Sequence, residues 1–318
     1  MLAVLFASMF LPPSVVQPAD LAGPGPERVI LDARASMKDY LAGHLPGALW
    51  VGPDNWRSTA EGVPGEIHPP EVFRTLFGRL GLRPDDEIVV YGAISDPDAA
   101  LVASVLRMHG LAAAILDGGI DRWKREGRPI SNDLPRPPTS RPRVARATGA
   151  IAAYDEVLAA SKSRGNAVIV DVRPPEQYEA GRIPGAVSFF WKRNLWPEEG
   201  VSASGCLRSA RELLEAYRAL GITPDKTVYV YCNSGHMAAL GWFVLKHYLG
   251  FRDVRLYDGS WIDWSARPGA PTESGKPGEA KARAAADALT RDLQSRLVAE
   301  MRDGGPTRAV SVTVSAGR

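Results

Sequence analysis

The chain has 318 residues, 45% of them hydrophobic and 23% charged, an ordinary globular composition with enough length for two domains. A net charge of +2 offers no broad basic field for nucleic acid, and two cysteines, Cys206 and Cys232, cannot build a disulfide framework. Frequent glycine and proline point to many turns rather than long bundled helices.

Taken in chain order, residues 1–13 form an apolar leader that opens "MLAVLFASMFL". It is too short to span a bilayer, so no stable membrane insertion is expected. It resembles the apolar part of a secretory signal, yet no Lys or Arg precedes it and no clean A-x-A site comes after it. A periplasmic or exported location is expected, with a buried leading segment and a cytoplasmic location as the alternative.

The body of the chain repeats itself. "VILDARASMKDYLAGHLPGA" (Val29 to Ala48) is echoed by "VIVDVRPPEQYEAGRIPGA" (Val168 to Ala186). Each reads as a buried strand, an Asp-x-Arg, a short helix and G-[HR]-[LI]-P-G-A. "LGLRPDDEIVVYG" (Leu80 to Gly92) is echoed by "LGITPDKTVYVYC" (Leu220 to Cys232), and "ILDGGIDRW" (Ile115 to Trp123) by "LYDGSWIDW" (Leu256 to Trp264). Three matches in one order imply a duplicated domain, over residues 14–132 and 150–268. The strands lack polar alternation, as fully buried parallel strands do. "ALGWFVLKHYLG" reads as a helix with Gly250 just past its end. The fold class is therefore α/β, with parallel sheets covered on both faces. A Pro- and Arg-rich stretch, 133–149, reads as an extended linker. Residues 269–318 read as a charged, partly disordered tail with one helical stretch near 282–301.

Cys232 stands where "TVYVY" ends and a helix begins, the place where open α/β sheets bind ligands. Backbone N–H groups at a helix start, or in a tight loop, favour an anion, and a thiolate held there is a nucleophile. Asn233, Ser234, Gly235, His236 and Met237 suit a short loop curled around that sulfur. In the first half the same position is Gly92, so one copy carries a nucleophile and the other does not. A cysteine phosphatase would need an Arg six residues after the Cys to grip phosphate; Ala238 is there instead. The scattered histidines and cysteines have no metal-ligand spacing, so no metal is expected.

These motifs resemble the rhodanese sulfurtransferases: tandem D-x-R…G-[HR]-[LI]-P-G-A, a Cys loop after a buried strand, and Y-D-G-x-W. "CNSGHMA" is similar to the loop of bacterial two-domain members. The resemblance covers roughly Ser14 to Pro268. It implies two tandem rhodanese-like domains, each a parallel five-stranded sheet flanked by helices, the second one catalytic. It also implies transfer of a sulfane sulfur through a Cys232 persulfide, with neither metal nor organic cofactor. The partners would be a small anionic donor, such as thiosulfate, and a thiophilic acceptor, cyanide or a thiol. Other family members have a basic residue after the Cys, or C-G-[ST]-G, and an Arg six residues after the D-x-R aspartate. Here Asn233 and Gln177 occupy those places, which leaves 3-mercaptopyruvate as an alternative donor and a sulfur carrier or sensor as an alternative function.

Around this core, His236 is expected to orient substrate, act as an acid or base, or merely pack. Arg182, Lys192 and Arg193 offer positive charge to an anionic donor. Asn55, Trp56 and Arg57 of the first half could line a cleft between the halves, with Trp56 the candidate for substrate binding. Asp32/Arg34 and Asp171/Arg173 are expected to support the strand-end loops. Cys206 is read as incidental.

Overall fold

The structure is a computed structural model that describes residues 13–22, 28–60, 62–94, 96–145, 148–163, 165–197 and 205–276. The apolar leader before Pro13 and the tail beyond Lys276, with its expected helix, lie outside the described residues.

The first half runs β1 (Val15–Val16), α1 (Pro18–Ala22), β2 (Arg28–Asp32), α2 (Met37–Ala42), β3 (Leu49–Trp50), β4 (Arg57–Ala60), β5 (Val63–Ile67), α3 (Pro70–Arg79), β6 (Glu87–Tyr91), α4 (Asp98–Met108), β7 (Ala112–Leu116) and α5 (Gly119–Arg125). The second half runs α6 (Tyr154–Lys162), β8 (Ala167–Asp171), α7 (Pro175–Ala180), β9 (Val187–Ser188), α8 (Ala210–Arg218), β10 (Thr227–Tyr231), α9 (His236–Phe243), β11 (Asp253–Leu256) and α10 (Ser260–Ala266). The first sheet has the order β1-β7-β6-β2-β3 and the second β11-β10-β8-β9, with every pairing parallel. The family resemblance implies five strands in each half. In the second half the fifth shrinks to a single parallel bridge, Ile151 to Leu256, beside β11.

Side-chain alternation explains why these strands are apolar throughout. In β10, Val228 and Val230 enter the large core shared by the two halves, whereas Tyr229 and Tyr231 enter the outer core of the second half. In β6, Ile88 and Val90 face the shared core, and Val89 and Tyr91 face the outer core of the first half. Both faces are covered, so neither set can be polar.

The shared core forms where α4 packs against α9. Ser104 Oγ of α4 donates to the Ala239 carbonyl of α9 at 3.1 Å, and Gly241 lets α9 lie close on Val230 and Val172 of the second half. The helix read from "ALGWFVLKHYLG" is present, but its last turn, Val244–Tyr248, is π-helical before Gly250 reverses the chain at φ +73°. The antiparallel hairpin β4–β5 belongs to neither repeat and has no forerunner in the sequence pattern. It reaches across to the second half, where Ile67 N–H donates to Asp258.

Candidate active site

The two Asp-x-Arg motifs make the same buried device twice. Arg34 Nη2 lies 2.6 Å from Asp32 Oδ2, and Arg173 Nη2 lies 2.6 Å from Asp171 Oδ2. Each guanidinium also donates to the carbonyl of the glycine after the short helix, Gly43 or Gly181. Tyr91 and Tyr231, at the ends of the central strands, donate to the same carboxylates at 2.5 Å. Burial and the adjacent Asp171 carboxylate hold the Tyr231 phenol well above its ordinary range, so it remains a donor. The motif thus ties two strand ends together.

Above this support lies the loop of Cys232, fully buried and not in a disulfide. Its shape comes from three consecutive carbonyls. The Cys232 carbonyl accepts from Trp261 N–H at 3.1 Å, and the Asn233 carbonyl accepts from Ile262 N–H at 3.0 Å, both at the start of α10. The Ser234 carbonyl accepts from Arg57 Nη2, which comes from β4 of the other half. In a trans peptide the N–H points opposite to the C=O. The N–H groups of Asn233, Ser234 and Gly235 are therefore turned away from these clamps. Among the described residues no backbone acceptor takes the N–H groups of residues 233–237. Cys232's own N–H donates to Ser260 Oγ at 3.1 Å. Gly235 closes the loop at φ +83° and starts α9.

Ser260 is the one described non-glycine residue with positive φ, +53°. Its counterpart in the repeat is Gly119, φ +56°. The replacement puts a hydroxyl under the cysteine at the expense of backbone strain. The signal is present in the sequence as "LDGG" set beside "YDGS", a difference inside a match that otherwise marks only duplication.

The first half builds much of this site. Arg57, 9% exposed, stands between the Ser234 carbonyl and Asp258 Oδ1, the latter at 3.6 Å. Asp98, at the start of α4, lies 2.7 Å from His236 Nε2 at the start of α9. The contacts are reciprocal: Ile67 N–H donates to Asp258 at 2.6 Å, and Leu207 N–H of the second half donates to the equivalent Asp117 at 2.8 Å.

Two cavities open beside the loop. One, about 550 Å³, is lined by Asn233, Ser234, His236 and Met237 together with Arg173, Gln177 and Trp261. The other, about 270 Å³, lies on the first-half side between His236 and the start of β4. Four of the five candidate loop residues thus converge on one opening, and Gly235 sits behind them as the hinge. The expected donor-binding residues do not. Arg182 is buried, with its guanidinium donating to the Gly275 carbonyl at 2.7 Å and 3.4 Å from Glu273. Its backbone forms a bridge with Glu273, just as His44 bridges Ser131 in the first half. Its role is to anchor the chain leaving α10. Lys192 and Arg193 lie over the rings of Trp191 and Phe189, are exposed, and line neither cavity. Trp56 is fully buried against Phe73 and Phe77 and donates to the Val51 carbonyl; its neighbour Arg57 is the residue that reaches the loop.

Cys206 is buried at the far side of the first half's Asp117 loop, 3.7 Å from Arg122 Nη1. Burial pushes its thiol up, Asp117 adds to this, and Arg122 opposes it. Among the described residues Asp96, Asp98 and His236 bring ligating atoms within 4.8 Å of one another. The His236–Asp98 pair already uses two of them, and nothing further marks a metal site. No helix of the described residues is long and apolar enough to cross a membrane.

Comparison with known proteins agrees with the duplication. A family model described as Rhodanese-like domain matches residues 19–126 and again 154–267. Curated relatives include the sulfur carrier protein TtuD of Thermus thermophilus, 32% identical over 271 residues, spanning 79% of this chain and 92% of that protein. A thiosulfate sulfurtransferase of Azotobacter vinelandii is 32% identical over 285 residues, spanning 84% of this chain and 98% of that protein. Among solved structures, wild-type EanB superposes with a TM-score of 0.74 at 22% identity, covering 83% of this chain and 70% of that one, a likeness of fold.

Proposed function

The chain belongs to the rhodanese-like family and is a rhodanese-type sulfurtransferase, and on that premise we propose that it takes a sulfane sulfur from thiosulfate onto Cys232 and hands it to a thiophilic acceptor. The Cys232 thiolate attacks the sulfane sulfur. An Sγ–S bond forms, the S–S bond of thiosulfate breaks, and sulfite leaves with the electron pair. Cyanide or a thiolate then attacks the outer sulfur and returns the cysteine thiolate. No oxidant or reductant is needed, and negative charge is conserved through both steps.

The observation that carries this reading is the outward clamping of the carbonyls of Cys232, Asn233 and Ser234. It leaves successive N–H groups beside a sulfur that bears negative charge before and after the transfer, a preorganised electrostatic arrangement. No Lys or Arg lies between Cys232 and Leu245, so a phosphate cradle lacks its cation within the loop. Incubation with thiosulfate is expected to make the intact protein heavier by one sulfur atom. Cys232→Ser should abolish that gain while Cys206→Ser keeps it, and the reverse pattern would sink the assignment. A second reading is a sulfur carrier that delivers its persulfide to a partner protein. The relative that bears such a name favours it. Loading by thiosulfate without steady thiocyanate production from cyanide would select the carrier.

A further inference from the structure

The two openings beside the Cys232 loop differ in what they offer an anion. In the larger, Arg173 is the sole Lys or Arg of the lining, and its guanidinium is held by Asp171 and the Gly181 carbonyl. Gln177 supplies no charge. The smaller opening is lined by Arg57, Ser58, Thr59 and His236, with Asp54 as its one carboxylate. His236 is taken up by Asp98. Arg57 is not similarly exhausted. Its Nη2 holds the Ser234 carbonyl and approaches Asp258, but its Nε is buried and has no hydrogen-bond partner among the described residues. A guanidinium carries five donors in a planar fork, and a buried donor left unpaired is costly.

We propose that this smaller opening receives the oxyanion end of the sulfur donor, and that Arg57, supplied by the half that has no catalytic cysteine, is the residue that fixes it there. The inference rests on the sulfurtransferase reading and adds which face the donor enters and which cation selects it. The three oxygens of a thiosulfate-like anion suit a guanidinium fork flanked by two hydroxyls, Ser58 and Thr59. Because Arg57 also clamps the carbonyl two residues beyond Cys232, binding at this opening sets the donor's orientation relative to the sulfur loop. A positive charge here offsets the repulsion between an approaching dianion and a thiolate. In the second step the acceptor, cyanide or a thiolate, lacks the three oxygens that the fork would hold.

The two half-reactions separate this role from a structural one. Persulfide loading is followed by intact mass against thiosulfate concentration; unloading is followed by adding cyanide to preloaded protein. Arg57→Gln also removes the clamp on the Ser234 carbonyl, so its mark is in the concentration dependence: the half-saturating thiosulfate concentration is expected to rise at least about tenfold, the scale of a lost charge-assisted hydrogen bond. Arg57→Lys should recover part of the loss. Where Arg57→Gln does not fold, Arg57→Lys and the Ser58→Ala/Thr59→Ala pair carry the test, each expected to weaken loading by about threefold or more. An unchanged concentration dependence in these variants overturns the proposal, and so does an equal slowing of both half-reactions in the Ser58→Ala/Thr59→Ala pair, which leaves the Arg57 clamp on Ser234 in place. Failure of the wild-type protein to load from thiosulfate overturns the thiosulfate reading and this inference together.

Discussion

At Gly235 the backbone turns left-handed, φ +83°, to start α9 directly beneath the sulfur loop. A Cβ there would stand 2.6 Å from Asp258 Oδ1 and 2.8 Å from Arg57 Nη2, the two charged groups that join the halves at this point. Gly235→Ala therefore adds conformational strain of about 1 kcal/mol or more and pushes on the clamp as well. Sulfur loading is expected to fall by about tenfold or more, at a cost of roughly 1–3 kcal/mol in stability, read by mass spectrometry and denaturant unfolding. Loading at the wild-type rate in Gly235→Ala would mean that the loop needs no fixed carbonyls. The loop itself was legible, because a cysteine at the end of an apolar strand, with small polar residues after it, is the local pattern of a tight turn around a sulfur. Arg57 was legible only with Asn55 and Trp56 as a candidate for the cleft between the halves, on the family resemblance and not on its own surroundings. It lies 177 positions before the carbonyl it holds, a separation at which local pattern carries no information. Arg182 misled for a related reason: a cation near the motif says nothing about where its side chain goes, and this one is buried beside Glu273 and the Gly275 carbonyl and lines neither opening.

Among the elements, the π-helical turn at the end of α9 has a consequence for acid stability. It places His247 in the seam with α4, 3.3 Å from Arg107 and edge-on to Trp242. Burial, then Arg107 and Lys246, push the imidazole down to about 3 from an ordinary 6.5. The unfolded chain thus binds a proton that the folded chain refuses. Stability from this group is complete above about pH 6.5 and is lost progressively as pH falls toward about 3. His247→Gln keeps an acceptor for Arg107 and removes the titration. Its loss of stability between about pH 7 and pH 4, measured by urea unfolding at each pH, is expected to be smaller than that of wild type. Equal losses would show that His247 does not titrate in the seam. The buried strands were readable as unbroken apolar runs, since both of their faces meet a core. The π turn was not, because an extra residue in a helix leaves the 3.6-residue pattern intact on either side. The β4–β5 hairpin escaped for a different reason: β4 is mostly polar, β5 is interrupted by Pro64 and Gly65, and most of their residues are half-exposed.

Over the whole molecule, the repeat made two α/β units plain, and the seam between them is what the repeat alone did not describe. Every described residue of α9 from Ala238 to Phe243 is buried, as is α4 from Asp98 to Leu106. An isolated 150–268 fragment would expose that apolar helix and lose Arg57, Asp98 and Ile67 from its sulfur loop. It is expected to be poorly soluble, and any soluble part should load sulfur at least about tenfold more slowly than the full chain. A stable, fully active fragment would show that the first half contributes nothing to the site.

The seam has one more property. Ile67 donates to Asp258 and Leu207 donates to Asp117, so each half gives the other the same contact. That is the isologous pattern of a two-fold dimer, in which identical subunits must change together because one gene writes both. Joined in a single chain, the two sides are written separately. Gly92 stands opposite Cys232, and Gly119 opposite Ser260, so the two sides of the seam differ where the sulfur loop is built. A single chain lets the two sides of one symmetric contact carry different side chains, which a dimer of identical subunits cannot do.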